Sequence, residues 1–413
     1  MSNGIRYPLQ HGNFSGDFSS ALFNATELGW INGYCVWPDN ISSSVTDGQF
    51  HRGLEILYGP IFTVFQHLLV NNSCSSGMHI STPRVDVTEF LRVVTGINLI
   101  LIVACVWLTS RFLKSTGLGT PSCPLSRITI IATLWLLDSH LSYSISVAAI
   151  PEIIELCLTL GAFVFLTNIS RSSQILSGSL IAIGAMIKAV PVIFAPLLLF
   201  RRSHTVHRMT ALVGTVLAIS ISVSLALKVS IFRVLYETFL PGQASLTPNA
   251  LSEFRSLSGA LARILSVDAS TTGGTILGAS CVLLIGCTFL FAIIYTVAIP
   301  RRDQKSKEIE YSRYGLLVGL YCSLFPMINV AHLHTYVFLM PTYVLTYYAG
   351  KSLYPRRTSI LILGIGGFLY LWISQSLVAG VFTRLGIPIP APAVFYEEAL
   401  PSFGFTILII VMI

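Results

Sequence analysis

The sequence predicts an all-α, polytopic integral membrane protein, and three observations predict it. Only 10% of the 413 residues are charged and 53% are hydrophobic, against roughly 25% charged in ordinary soluble domains, and the mean hydropathy is +0.75. The apolar residues gather in runs long enough, or nearly so, to cross a bilayer. The basic residues fall in short clusters between those runs. A soluble globular protein is excluded. The net charge of +7 does not point to nucleic acid, because the clusters form no continuous basic face.

The apolar runs lie at about 90–110, 127–144, 148–167, 175–200, 208–233, 273–299, 314–332, 335–350, 358–380 and 402–413, which predicts about ten or eleven transmembrane helices, short broken ones included. The run 175–200 cannot be one straight span. Lys188 sits in its middle, and Pro191 and Pro196 follow, so a charge and two helix breakers interrupt it. Two short helices meeting near Lys188 fit better. No repeat or low-complexity tract divides the chain, which reads as a single membrane domain over 1–413.

Orientation follows from the basic clusters. With residues 1–89 outside, Arg111/Lys114/Arg127, Arg171, Arg201/Arg202/Arg208, Arg301/Arg302/Lys305/Lys307/Arg313 and Lys351/Arg356/Arg357 all fall inside, more than half of the 25 Lys and Arg. These are short loops, where the positive-inside rule has force. The count works only if 175–200 is a hairpin returning to the cytoplasm, which puts Lys188 toward the outer face. Outside lie an extracytoplasmic loop at 1–89, another at 234–272, and a Pro-rich segment near 381–401. Within the first, EILYGPIFTVFQHLL is amphipathic and suits the interface better than a span. A plasma (inner) membrane protein with an extracytoplasmic working face is expected.

Cys105, Cys157, Cys281, Cys287 and Cys322 lie in apolar runs without metal-ligand spacing and read as packing residues. Cys35 and Cys74 share the first outer loop, where a disulfide is compatible with the compartment. No metal and no cofactor is expected.

Several polar residues stand out. Lys188 is a cation inside an apolar segment, which costs at least about 2.5 kcal/mol on insertion scales and marks either a ligand site or a snorkelling helix end. Asp17, in NFSGDFSSALFNATEL, reads by itself as a solvated carboxylate or a helix N-cap. His332 and His334 follow SLFPMINVA where one span ends and the next begins; substrate contact and interfacial capping both suit them, and no carboxylate or further His stands near enough to favour a metal. Arg255 and Arg263, eight residues apart in NALSEFRSLSGALARIL, share a face if that stretch is helical. Their guanidinium groups suit a phosphate or anionic headgroups. Asp138 and His140, with Glu152 and Glu155 opening the next span, have the look of a proton-linked transport site.

Four stretches together resemble the GT-C glycosyltransferases, most closely glycosyltransferase family 87, the bacterial polyprenol-phosphate-mannose-dependent α-mannosyltransferases. SGDFSSALFNATELGWINGYCVW resembles the family's Asp-containing opening of the first outer loop, with Asp17 at the catalytic carboxylate. LEILYGPIFTVFQHLL is similar to the Tyr-Pro-Pro stretch that follows, with Tyr58 and Pro60 in place and Gly59 where the family has proline. LSGSLIAIGAMIKAVPVIFAPLLLFRR resembles the small-residue helix, Lys-x-x-Pro turn and apolar return ending in a basic pair. SLFPMINVAHLHTYVFLMP is similar to the Ser-Pro and His element, with Pro326, His334 and Pro341. NALSEFRSLSGALARIL also resembles the family's amphipathic outer segment.

The resemblance implies a GT-C-like fold and a hexosyltransferase, by analogy a mannosyltransferase. Its partners would be a polyprenyl-phosphate sugar donor, a glycan or glycolipid acceptor, and membrane lipid. It implies inversion with Asp17 as base, donor phosphate binding by Lys188, His334, Arg255 and Arg263, and substrate contacts at His332 and Tyr58. Two rivals remain at this stage. A proton-coupled transporter or lipid flippase would use the Asp138, His140 and Glu152/Glu155 group, and a lipid-linked glycan polymerase or ligase would differ in taking a diphosphate-linked donor.

Overall fold

The computed structural model describes residues 61, 64, 70–75, 78–83, 85–116, 131, 150–188, 190–200, 204–227, 230–239, 256–268, 271–302, 307–327, 333–373 and 399–413. The helices are α1 (Val87–Ser115), α2 (Ile150–Leu166), α3 (Arg171–Ile187), α4 (Thr205–Leu227), α5 (Ile231–Phe239), α6 (Leu257–Leu265), α7 (Thr272–Arg302), α8 (Lys307–Leu324), α9 (Leu339–Leu353), α10 (Arg356–Ile373) and α11 (Ala399–Met412). Among the described residues three stretches, within α1, α4 and α7, are long and apolar enough to cross a membrane: Arg92–Ser115, Thr205–Ala226 and Thr272–Ala298. Their outward residues include Ile100, Val103, Val213, Leu225, Leu283 and Ile294, all exposed. Such faces belong in lipid.

The wholly helical expectation needs one correction. Val70–Ser75 (β1) and Met78–Pro83 (β2) pair as an antiparallel hairpin, with Cys74 opposite His79. Val70, Ile80 and Thr82 are β-branched and suit strands, Pro83 closes the second strand, and Asn71-Asn72-Ser73 bring no strand propensity of their own. The disulfide that the first outer loop would allow between Cys35 and Cys74 involves Cys35, which lies outside the described residues.

Helix ends follow local chemistry. Asp86 caps α1 by accepting from the Glu89 backbone N–H at 2.9 Å, Ser170 caps α3 through the Ser173 N–H, and Ser256 caps α6 through the Gly259 N–H. Each satisfies a donor that the first turn leaves orphaned. Inside the helices, Thr109, Ser280, Thr288, Thr296 and Thr346 donate to the carbonyl four residues back. That keeps hydroxyls paired where no water is at hand.

The helices pack in two groups. In the first, α1 lies on α2, α2 on α3 and α3 on α4; in the second, α8 lies on α7, α9 and α11, and α10 on α9 and α11. Interhelical hydroxyls fasten the second group: Ser323 and Thr406 stand 2.9 Å apart, and Ser402 donates to the Ser323 carbonyl at 2.7 Å. Buried aromatic rings join the groups, with Phe200 stacked on Tyr314 at 4.3 Å and Phe112 tilted against it at 5.6 Å.

The segment 175–200 is broken as expected. α3 ends at Ile187, Lys188 is extended at φ −154° and ψ 131°, and a 3-10 helix, Val190–Leu199, turns back. Pro191 bears on the break because it has no N–H to give to the Ile187 carbonyl, so the α-helical ladder of α3 cannot run through it. Gly184 allows the turn to be tight, since a Cβ there would stand 3.2 Å from Pro191 Cγ.

At the far end of the hairpin Arg208 is buried, which its basic cluster does not suggest. Its guanidinium donates to Gln174 Oε1 at 2.6 Å, the Phe200 carbonyl at 2.7 Å and Thr205 Oγ1 at 2.8 Å. Gln174 in turn donates to the Phe165, Leu166 and Asn168 carbonyls. One guanidinium of α4 and one amide of α3 thus satisfy carbonyls at the C-terminal end of α2 and just past the 3-10 helix.

Candidate active site

Lys188 is placed by the hairpin. Its backbone N–H closes the last turn of α3 on the Gly184 carbonyl at 3.1 Å, and the extended backbone that follows aims the side chain at α2. Its Nζ donates to Glu152 Oε1 at 2.8 Å. The Glu152 side chain is 1% exposed and that of Lys188 13%. A lone buried charge is costly in an apolar segment, and pairing offsets that cost. Glu152 sits in the first turn of α2, where the helix dipole favours an anion.

Glu155 lies one turn further on and within electrostatic range of both Lys188 and Glu152. Its carboxylate is buried, and neither oxygen has a hydrogen-bond partner among the described residues. Three ionisable groups therefore gather at one end of the α2–α3 pair.

A line of aromatic rings leads from that hairpin to the second group. Phe163 meets Phe194 edge-on at 5.6 Å, Phe194 stacks on Phe338 at 5.8 Å, and Phe338 meets Phe325 at 4.7 Å. Phe325 and Phe338 belong to two further 3-10 helices, Phe325–Met327 and Leu333–Phe338. The first ends the α8 run early, because Pro326 cannot continue it. The second carries His334 in its backbone and packs on α2, the helix of Glu152 and Glu155. The Lys-x-x-Pro stretch and the Pro-His stretch, distant in sequence, are neighbours in the fold.

The other candidates divide. Arg263 is half-buried in the last turn of α6, where a cation suits the helix C-terminus, and α6 packs on α7 and α11. Asp17, Tyr58, Arg255 and His332 lie outside the described residues, as do Asp138, His140 and the side chain of His334. Among the described residues no group of three or more His, Cys, Asp or Glu could hold a metal ion.

The sequence drew attention to Lys188 and to Glu152, but not to their partnership. The available signal was two opposite charges, each stranded in an apolar run. Inside a membrane such charges seek each other.

The model of glycosyltransferase family 87 matches residues 79–324, more than half of the chain. The match contains Lys188, Glu152 and Arg263 and stops short of Asp17 on one side and His334 on the other. No curated protein and no solved structure matches the chain.

Proposed function

The chain belongs to glycosyltransferase family 87 and is therefore a membrane glycosyltransferase, and from that premise we propose that it transfers a hexose, by family analogy mannose, from a polyprenyl-phosphate donor. The transfer takes place at the extracytoplasmic face of the plasma membrane, in a single domain of about ten or eleven transmembrane helices, and the acceptor is a glycan or glycolipid.

The observation that carries this reading is a lysine at a proline-broken turn, paired with Glu152 of α2, the helix on which the element that bears His334 packs. An enzyme working outside the cytoplasm has no supply of nucleotide sugars, so a lipid carrier presenting an activated sugar from the membrane makes sense of so much apolar protein. The sugar leaves a phosphate diester, which becomes a more highly charged monoester as the bond breaks. Fixed cations are what such a leaving group needs. Lys188 and His334 are the first of these and Arg255 and Arg263 the next, and His332 and Tyr58 contact substrate.

Asp17 accepts the proton of the acceptor hydroxyl as its oxygen attacks the anomeric carbon. A single displacement of this kind inverts that carbon, since no second carboxylate forms a covalent intermediate. Purified protein given a panel of radiolabelled polyprenyl-monophosphate sugars, with endogenous lipids as acceptors, tests the reading. Transfer from the mannosyl donor, reduced in Lys188→Met, is expected. Transfer only from a diphosphate-linked donor, or none from any monophosphate sugar, would overturn it.

A further inference from the structure

The two members of the Lys188–Glu152 pair differ in enclosure: the Glu152 side chain is 1% exposed, while that of the lysine it holds at 2.8 Å keeps 13%. We propose that Glu152 is the positioning residue of Lys188, fixing its ammonium beside the first turn of α2 so that it faces the donor phosphate. The inference rests on the reading given above and adds to it the residue that aims the cation.

Two arguments favour positioning over a purely structural pair. First, a buried ion pair is a poor device for stability, since apolar side chains of similar volume commonly do as well or better. Second, the helix offers a choice. Glu155, one turn along, is also buried and within electrostatic range of Lys188, yet its oxygens have no hydrogen-bond partner among the described residues. The ammonium goes to the carboxylate in the first turn of α2, which is the one nearer the end of the bundle. A lysine left to itself has a flexible four-carbon stem and loses rotamer entropy when it is fixed. A partner that fixes it in advance removes that cost from donor binding.

The test compares Glu152→Gln, Glu152→Asp and the exchanged pair Glu152→Lys/Lys188→Glu in the full chain, by donor KM, kcat and thermal unfolding. Glu152→Gln should lower kcat/KM by roughly 10- to 100-fold, the scale of a misplaced contact, mostly through donor KM. Glu152→Asp keeps the charge but draws it back by one methylene, so it should unfold as the wild type does and still show a raised KM. The exchanged pair should recover stability without recovering transfer, because the carboxylate then faces the phosphate. Exchange that restores transfer, or Glu152→Gln and Glu152→Asp with wild-type kcat/KM, overturns the inference while leaving the proposed reaction intact. Lys188→Met indistinguishable from wild type overturns it too, and a wild type that transfers from no polyprenyl-phosphate sugar overturns inference and reaction together.

Discussion

Replacing Gly178 by alanine tests the close packing that holds the Lys188 hairpin. Gly178 lies on α3 against α4, and a Cβ there would stand 2.2 Å from the Arg208 carbonyl oxygen and 3.2 Å from Ala211 Cβ. Ordinary contact requires the two backbones to separate by about 1 Å. Neither helix can easily give way: α3 is tied to α2 by the Ser177 hydroxyl on the Ala162 carbonyl at 2.9 Å, and α4 is tied at Arg208 by two hydrogen bonds, to Gln174 Oε1 and the Phe200 carbonyl. Overpacking of this kind costs about 1–3 kcal/mol. Alanine's better helix propensity returns about 0.5–1 kcal/mol, which leaves a net loss of about 1–2 kcal/mol. Gly214 on α4 is the control, because nothing lies within 4 Å of its would-be Cβ, and there the same substitution should be neutral or stabilising. Thermal unfolding of both variants in one detergent, followed by helical circular dichroism, measures the difference. A Gly178→Ala protein as stable as Gly214→Ala would refute the close approach.

Arg208→Met should destabilise the protein by about 2 kcal/mol or more, since it strips the buried Phe200 carbonyl and Gln174 amide of their donor; Arg208→Lys should not rescue it, because one ammonium cannot reproduce the fork. Chemical denaturation in micelles reads both. Asp17→Asn should cut transfer by roughly 100-fold or more, the scale of a lost general base, with unfolding temperature unchanged; equal activity at equal stability would remove Asp17 from the mechanism. Cysteines engineered within 1–80 and 240–270 should react with an impermeant reagent added from outside intact cells, and reaction from the cytoplasmic side alone would reverse the orientation. Glu155→Met should raise the unfolding temperature, because it removes a buried carboxylate that has no hydrogen-bond partner among the described residues.

Some of this protein was legible in its sequence. Low charge and long apolar runs announced a membrane protein, because lipid admits little else. The break at Lys188 was legible for an equally local reason: Pro191 lacks an N–H, so α3 had to stop before it. The order of small-residue helix, Lys-x-x-Pro turn and Pro-His element was enough to suggest the family that the match bears out. The β-hairpin at 70–83 was missed, because short polar strands carry no alternating apolar signal.

What the sequence could not decide were the partnerships between distant segments. Lys188 with Glu152, Arg208 with Gln174 and Phe200, and Phe194 with Phe338 each join residues that nothing local brings together. Periodicity and breakers act within a few residues, so they set where helices begin and end. Which buried charge meets which is chosen by packing, because only the folded bundle fixes the distances on which Coulomb attraction and hydrogen bonding depend. The sequence determined a membrane-embedded helical chain with a charged, broken hairpin. The tertiary structure alone decided that the hairpin's lysine is held by a buried carboxylate of α2, the helix against which the element that carries His334 packs.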